Sequence, residues 1–264
     1  LVVAVAIFWF EIPMRGSFGP RIREAFVAAP GMQLLSADYS QIELRIVASL
    51  AGDKSFIAAF NAGEDIHTRT ACEIWDVAPE NVDKDMRRKA KAVNFGIIFG
   101  MGSQGLAQSG DMSFAEAKQA LVKYFAVHTA IREFMDLQKA LAKKQGYVET
   151  VFGRRRYLPE ITSGVPFVRA QAERMAINHP VQGAEADLMK LAMVAVADRL
   201  KKEKFAATML LQVHDELVLE VKKSDVKELA SLVSAEMEKV HRFAVPIVVN
   251  VEVGSNWGDM KELE

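Results

Sequence analysis

Apolar and polar positions along the chain follow two periods. At 210–213 and 217–221, runs of Leu and Val flank a polar corner, His214-Asp215-Glu216. Runs of this length and composition predict strands, and so short an interruption predicts a hairpin. Another strand candidate covers 33–38 and ends on Asp38. From Ser40 the period changes. Ile42, Ile46, Val47 and Leu50 recur at helical spacing, so a helix follows the strand and Glu43 lies about one turn into it. Residues 53–85 are polar and broken by Gly63 and Pro79, and predict one helix, over 68–75. Residues 86–99 predict another, and Gly100, Gly102, Gly105 and Gly110 predict a loop. Ser113 and Glu116 form a capping-box pattern opening a helical stretch that runs, with a break, to Lys144, with Gly146 as its C′ residue. Residues 147–152 alternate as a strand. Residues 167–178 and 182–202 predict two helices separated by His179-Pro180, followed after the hairpin by a helix over 224–240 and a strand over 247–253. A short helix is predicted over 21–29, and 254–264 reads as a polar tail carrying Trp257.

The strands at 33–38, 208–213, 217–221 and 247–253 predict an α+β fold: a small antiparallel sheet with helices on one face and a large helical block inserted into it. Half of the 264 residues are hydrophobic, enough for one large domain or two small ones. Cys72 is the single cysteine, so there is no intrachain disulfide, which fits a reducing compartment. A net charge of −1 argues against a nucleic-acid coat protein. Positive charge is nonetheless clustered at Arg87-Arg88-Lys89-Ala90-Lys91 and Arg154-Arg155-Arg156, with Arg15, Arg21 and Arg23 near the start. Residues 1–10 are almost all apolar. A membrane-spanning helix needs about 20 such residues, and no basic segment precedes the run to make a signal peptide. Because the chain begins with Leu, an internal fragment of a longer protein is expected.

Candidate chemistry sits at three places. The hairpin corner carries two adjacent carboxylates and an imidazole between apolar strands, where carboxylates are costly unless paired or bound to a metal. A solvated acidic turn is the plain alternative. Asp38 stands between strand and helix, where it could also be a simple helix-entry residue, and Glu43 could be a solvated face. Arg87, Lys91, Phe95 and Phe99 are spaced four apart, so they share one helix stripe. Two cations followed by two aromatics suit a nucleoside triphosphate: cations for the phosphates, a ring for the base or sugar. An amphipathic helix with a wet basic end has the same pattern. The Arg triplet could be solvated or hold phosphates.

Taken together, Asp38-Tyr39-Ser40-Gln41-Ile42-Glu43-Leu44-Arg45, the stretch 87–100 and Val213-His214-Asp215-Glu216 resemble, in order, three motifs of the family A DNA polymerases. The resemblance extends from Ile12 to the end and omits only the first ten or so residues. It implies a palm at 1–54 and 166–264, with residues 1–10 atypical, and a fingers insertion at 55–165. It implies template-directed addition of deoxynucleotides to a primer 3′ end with release of pyrophosphate. Asp38 and Asp215 would bind two Mg²⁺ ions, and Glu216 would be an auxiliary carboxylate. Arg87 and Lys91 would hold the triphosphate with help from His67, Lys91 also acting in catalysis. Phe95 would pack on the nucleotide, with Gln41 beside it, and Glu43 would crowd the sugar 2′ position. Phe99 falls where the family usually has tyrosine, which keeps the ring and loses the hydroxyl. Arg174, Asn178, Gln182 and His214 would touch primer or template. The implied partners are primer–template DNA and deoxynucleoside triphosphates, with no membrane, in a monomer of the bacterial cytoplasm associated with the nucleoid.

Physical chemistry agrees with these roles. Phosphoryl transfer needs positioning and charge neutralisation. Two metal ions about 3.5–4 Å apart supply both, one at the attacking hydroxyl and one at the leaving group. Mg²⁺ needs few protein oxygens besides phosphate and water. No Cys/His spacing for zinc competes. The family's thumb and its Thr-Gly-Arg-Leu-Ser-Ser stretch have no counterpart here, so this piece is expected to be weakly active, or inactive through poor grip on duplex. The alternatives are a catalytically silent nucleic-acid-binding fragment and a metal-dependent nuclease. The nuclease reading leaves Glu43 and the Arg87–Lys91–Phe95 stripe unexplained.

Overall fold

The computed structural model describes residues 19–263. The apolar run at 1–10 and Arg15 lie outside them. In chain order the elements are α1 (Gly19–Glu24), β1 (Met32–Tyr39), α2 (Ile42–Ala51), α3 (Lys54–Asn61), α4 (Ile66–Trp75), α5 (Lys84–Ile98), α6 (Ser103–Gly110), α7 (Phe114–Val127) and α8 (Thr129–Gln145). There follow β2 (Tyr147–Glu149), β3 (Arg155–Tyr157), α9 (Pro166–Lys202), β4 (Ala207–Val213), β5 (Glu216–Lys222), α10 (Val226–Glu238), β6 (Val249–Gly254) and β7 (Lys261–Glu262). The fold is α+β. It divides into two compact units: one takes the chain up to Ile42, Ala186–Arg242 and the chain from Ile247 on, the other Glu43–Glu185 and Phe243–Pro246.

The first unit is built on a five-stranded sheet of order β4-β5-β1-β6-β7, with antiparallel pairing throughout. β1 is central and buried along most of its length, as its apolar sequence requires. Successive residues point to opposite faces. Tyr39 lies on the face covered by α10, where its hydroxyl donates to the Met237 carbonyl (2.8 Å). Leu229, Val233 and Met237, one turn apart along α10, are fully buried. The other face carries Leu34, Ser36 and Asp38, and Leu34 packs with Leu211, Val218 and Trp257. The segment expected to be a polar tail folds back to complete this layer. The Trp257 N–H donates to the Phe26 carbonyl (3.0 Å), Val27 bridges Asn256, and β7 adds the fifth strand. The same pairing ends α1 at Glu24, short of the helix expected over 21–29, because 26–28 bond to the returning chain.

The second unit is mostly helical. The segment read as broken around 53–67 contains α3, whose N-cap Asp53 accepts from the Phe56 N–H (2.9 Å). Phe56, Ala59 and Phe60 form its buried stripe. The glycine-rich loop expected at 100–110 contains α6. Its Leu106 is fully buried against Gly96 of α5, where an added Cβ would lie 2.3 Å from Leu106 Cδ2. Close packing of two helices outweighs the helix cost of glycine. The capping box at Ser113 and Glu116 is formed, the helical break falls at His128, and Gly146 is a left-handed cap (φ 79°). The strand expected over 147–152 stops at Glu149 and turns back into β3 through Gly153 (φ 84°). α9 runs unbroken through Pro180, where two helices were expected. Ala176, Ile177, Val181, Ala184 and Leu188 make one buried seam across the proline, and that packing offsets the lost backbone hydrogen bond. Among the described residues no helix is long and apolar enough to cross a membrane.

Candidate active site

In the first unit, sheet register brings the two acidic motifs together. β1 pairs with β5 so that Asp38 lies opposite Glu216. β4 and β5 are joined by a tight turn in which His214 takes a left-handed conformation (φ 52°). The Gln212 side chain donates to the His214 carbonyl (2.7 Å), and the Tyr39 N–H donates to the Asp215 carbonyl (3.1 Å). The turn is thereby fastened to the end of β1. Asp38 and Asp215 share a hydrogen bond across a pocket of about 320 Å³, also lined by Arg23, Ser36, Glu216 and Glu252.

A hydrogen bond between two carboxyls requires that one hold a proton. Burial, then the charges of Asp215, Glu216 and Glu252, push Asp38 well above the usual carboxylate range. Burial likewise raises Asp215. At Asp215 a backbone hydrogen bond and the nearby His214 oppose burial but do not cancel it, so an added cation would favour the ionised forms of both carboxyls. Glu216 differs. Its Oε1 accepts from the Ser36 hydroxyl (2.6 Å) and from the Trp257 indole N–H (2.7 Å), while Oε2 lies 3.5 Å from Arg23 Nη1. The Arg23 guanidinium stacks 4.0 Å above the Trp257 ring. Among the described residues no three His, Cys, Asp or Glu side chains form a metal-holding cluster. Asp38 and Asp215 are a two-oxygen-donor pair, suited to a hard dication that takes its remaining ligands from water and phosphate, and unsuited to a closed structural zinc site.

In the second unit, α5 is capped by Asp83, which accepts from the Met86 N–H (2.8 Å). The helix carries Arg87 and Lys91 exposed and Phe95 half-buried. Arg87 Nε lies 2.5 Å from Asp65 Oδ2. Asp65 caps α4, accepting from the His67 N–H and the Thr68 hydroxyl. Burial pushes Asp65 up, but the Arg87, Thr68 and His67 hydrogen bonds outweigh it and bring its pKa to about 2. Lys91 Nζ lies 5.9 Å from the Phe95 ring centre, as does the His67 ring. Phe99 is the helix C-cap, one step past the last helical residue, and still stacks on Phe95 (6.5 Å, 22°). Burial first, then Arg87 and Lys91, lowers His67 to about 4 against the opposing pull of Asp65, so the imidazole is neutral. The surface thus offers cations beside a half-buried aromatic face, with a neutral, buried imidazole behind it.

Arg174, Asn178 and Gln182 lie on one row of α9 in the same unit, with Arg174 and Gln182 exposed. Asn178 donates its amide to the carbonyls of Ile98 (2.9 Å) and Arg174 (3.1 Å), so it braces the end of α5. Gln41 takes a left-handed conformation (φ 53°) between β1 and α2, with its buried Oε1 unpartnered. Glu43 lies in the first turn of α2.

The structure therefore gathers Asp38, His214, Asp215 and Glu216 in one unit, and His67, Arg87, Lys91, Phe95 and Phe99 in the other. Sequence reasoning missed Arg23, Ser36 and Trp257 around Glu216, and Glu252 beside Asp38. Alternation along 247–253 put Glu252 on a face, but nothing local assigned that face to the pocket. It also missed the buried His128, held between Asp53 (3.1 Å) and Glu73 (2.9 Å).

Comparison with known proteins places this arrangement. The family model for DNA polymerase family A matches residues 10–259. The chain is 48% identical over 247 residues to the thermostable DNA polymerase I of Thermus caldophilus, covering 94% of this chain and 29% of that protein. It is 46% identical over 252 residues to DNA polymerase I of Geobacillus stearothermophilus, covering 95% and 29%. The chain thus spans under a third of these relatives' length. Among solved structures it resembles the POL domain of Pol1 from M. smegmatis in complex with DNA primer-template and dNTP (TM-score 0.89, 42% identity, 94% of this chain and 44% of that one).

Proposed function

Since the chain belongs to DNA polymerase family A, we propose that it carries the nucleotidyl-transfer centre of a DNA-directed DNA polymerase. The reaction adds deoxynucleotides to a primer 3′ end on a DNA template and releases pyrophosphate. The observation that carries this reading is the register that sets Asp38 beside Asp215, an acidic pair whose ionisation burial disfavours, in a chain that also presents the Arg87–Lys91–Phe95 stripe. The palm would take 1–54 and 166–264 and the fingers 55–165.

Asp38 and Asp215 would hold two Mg²⁺ ions. When bound, these would neutralise phosphate charge and acidify the primer hydroxyl. Glu216, held by Ser36 and Trp257, adds negative potential beside them. Arg87 and Lys91 bind and orient the triphosphate, and Lys91 also stabilises the leaving pyrophosphate. His67 donates to a phosphate oxygen, Phe95 packs on sugar and base, and Phe99 stacks behind it. Gln41 borders the nucleotide and Glu43 excludes a 2′ hydroxyl. Arg174, Asn178, Gln182 and His214 contact primer or template, positioning by backbone and shape while base pairing selects the nucleotide. The protein works as a monomer in the bacterial cytoplasm, at the nucleoid.

Primer extension on a short primer–template, with Mg²⁺ and all four deoxynucleotides, tests the reading against Asp215→Ala. Extension abolished in the variant is the expected result. Extension by both proteins would assign the chemistry to other residues. Triphosphate binding without extension by either would limit this chain to nucleotide binding.

A further inference from the structure

Asn94 lies on α5 among the residues of the nucleotide stripe but faces inward and is fully buried. Its amide nitrogen lies 3.1 Å from His67 Nδ1 and 3.1 Å from the Thr70 hydroxyl, which is itself 3.2 Å from the amide oxygen. An amide nitrogen can only donate, so the ring nitrogen facing it must accept and carry no proton. A neutral imidazole then has its proton on Nε2. Nε2 has no hydrogen-bond partner among the described residues and is not one of the buried, orphaned polar atoms. The His67 side chain is buried (2% exposed), so Nε2 is a narrow edge that a ligand phosphate would have to approach closely.

From this geometry we infer that Asn94 is a positioning residue: it fixes His67 in the Nε2–H form and so makes it a hydrogen-bond donor to a triphosphate oxygen. The inference rests on the nucleotide-binding reading of His67 given above. The chemistry explains why the form matters. Phosphate oxygens only accept. An imidazole protonated on Nδ1 would turn its Nε2 lone pair toward them, an unfavourable contact. The neutral ring also has a reason. Burial and the nearby Arg87 and Lys91 disfavour imidazolium, so the donor must come from the choice of tautomer rather than from added charge.

Two measurements on the 264-residue chain test this. The first is a ring-¹⁵N correlation spectrum at pH 7.5 of the histidine-labelled protein, with His67→Gln to assign His67 among the five histidines. The expected spectrum has His67 Nε2 protonated and Nδ1 bare. Asn94→Asp, whose carboxylate only accepts, should move the proton to Nδ1. The second is dATP affinity. Asn94→Asp should weaken dATP binding by about 10- to 100-fold, the scale of one hydrogen bond to a charged group. The same change in a His67→Ala background should alter affinity by less than about twofold. Asn94→Ala, which leaves Nδ1 without a donor, stands in if the aspartate variant misfolds. It should give mixed tautomers and an intermediate loss.

Wild-type His67 protonated on Nδ1, or an equal loss in both backgrounds, would overturn the role of Asn94. The second of these results would show a simple charge effect. A wild-type chain that shows the Nε2–H form but binds no dATP would overturn the nucleotide-binding reading, and the positioning role with it. Dependence of dATP binding on His67 but not on Asn94 would sink the positioning role alone.

Discussion

In the second unit, His128 is fully buried with Nδ1 3.1 Å from Asp53 and Nε2 2.9 Å from Glu73. In the first, Asp38 and Asp215 face each other with Glu216 and Glu252 as further anions. Both clusters put carboxylates in the interior, but with opposite electrostatics. Carboxylates only accept hydrogen bonds, so a ring placed between two of them must donate from both nitrogens and is an imidazolium. Burial alone would lower the pKa of His128; the hydrogen bonds it donates to Asp53 and Glu73 overcome that and raise it. The His128 cluster carries its own counter-charge, and Arg69 extends the network through Glu73 to Glu64. In the Asp38–Asp215 pair like carboxyls meet and one holds a proton, and a ligand cation would favour ionisation of both. One arrangement balances its charge within the fold, while the other keeps carboxyls whose ionisation is disfavoured. Loss of a carboxylate should therefore act in opposite directions in the two clusters.

The largest expected effect is on activity. Asp215→Ala should reduce primer extension by at least about 10⁴-fold, roughly 5 kcal/mol of transition-state stabilisation. Its thermal midpoint should stay level or rise, because a repulsive partner is gone. A clear drop in that midpoint would mean the pair is compensated after all, and the contrast between the clusters would fail. His128→Ala comes next. It leaves Asp53 and Glu73 without their cation and should destabilise the second unit by about 3–5 kcal/mol in urea unfolding. A loss under about 1 kcal/mol would fit a neutral ring and an ordinary hydrogen bond.

Trp257→Phe keeps the ring that packs on Phe26 and Arg23 but removes the N–H donor to Glu216. It should cost about 1.5–3 kcal/mol of stability, the range for a hydrogen bond to a charged group. It should also lower kcat for extension with little change in KM. A purely structural indole would leave kcat untouched.

The smallest effect is in pH dependence. Asp53 is raised by burial but lowered on balance by the His128 and Phe56 hydrogen bonds. Its contribution is present above its ordinary 3.8 and is lost as pH falls through its folded value. His128, raised from 6.5, contributes fully below 6.5 and loses that contribution as pH rises through its folded value. Tyr124, packed 4.5 Å from the His128 ring, is pushed up by burial and stays neutral throughout. Stability of the second unit, followed by urea midpoint, should therefore decline on the alkaline side as His128 loses its proton. His128→Gln should flatten that slope. An unchanged slope in His128→Gln would assign the decline to other groups.

Several elements could be read directly from local pattern. The Ser113–Glu116 capping box, the Gly146 cap, the hairpin about His214-Asp215 and the helix carrying Arg87, Lys91 and Phe95 all depend on residues within a few positions of one another. Others did not follow from local rules. Four glycines within eleven residues read as a loop, yet Leu106 found a partner in Gly96 and a helix formed. Pro180 read as a break, yet a buried seam on both sides carried α9 through it.

The sequence by itself determined the order of strands and helices, the spacing of the acidic and basic–aromatic motifs, and the family to which they belong. Those features are periodic or contiguous, and the chain geometry of a strand or a helix turns spacing directly into a shared face. Only the tertiary structure decided which groups compensate which charges. Glu216 is held by Ser36, 180 positions away, and by Trp257, 41 positions away. His128 meets Asp53 across 75 residues, and His67 meets Asn94 across 27. The balance between desolvation and pairing at each buried group depends on the atoms that pack around it, and those come from distant parts of the chain.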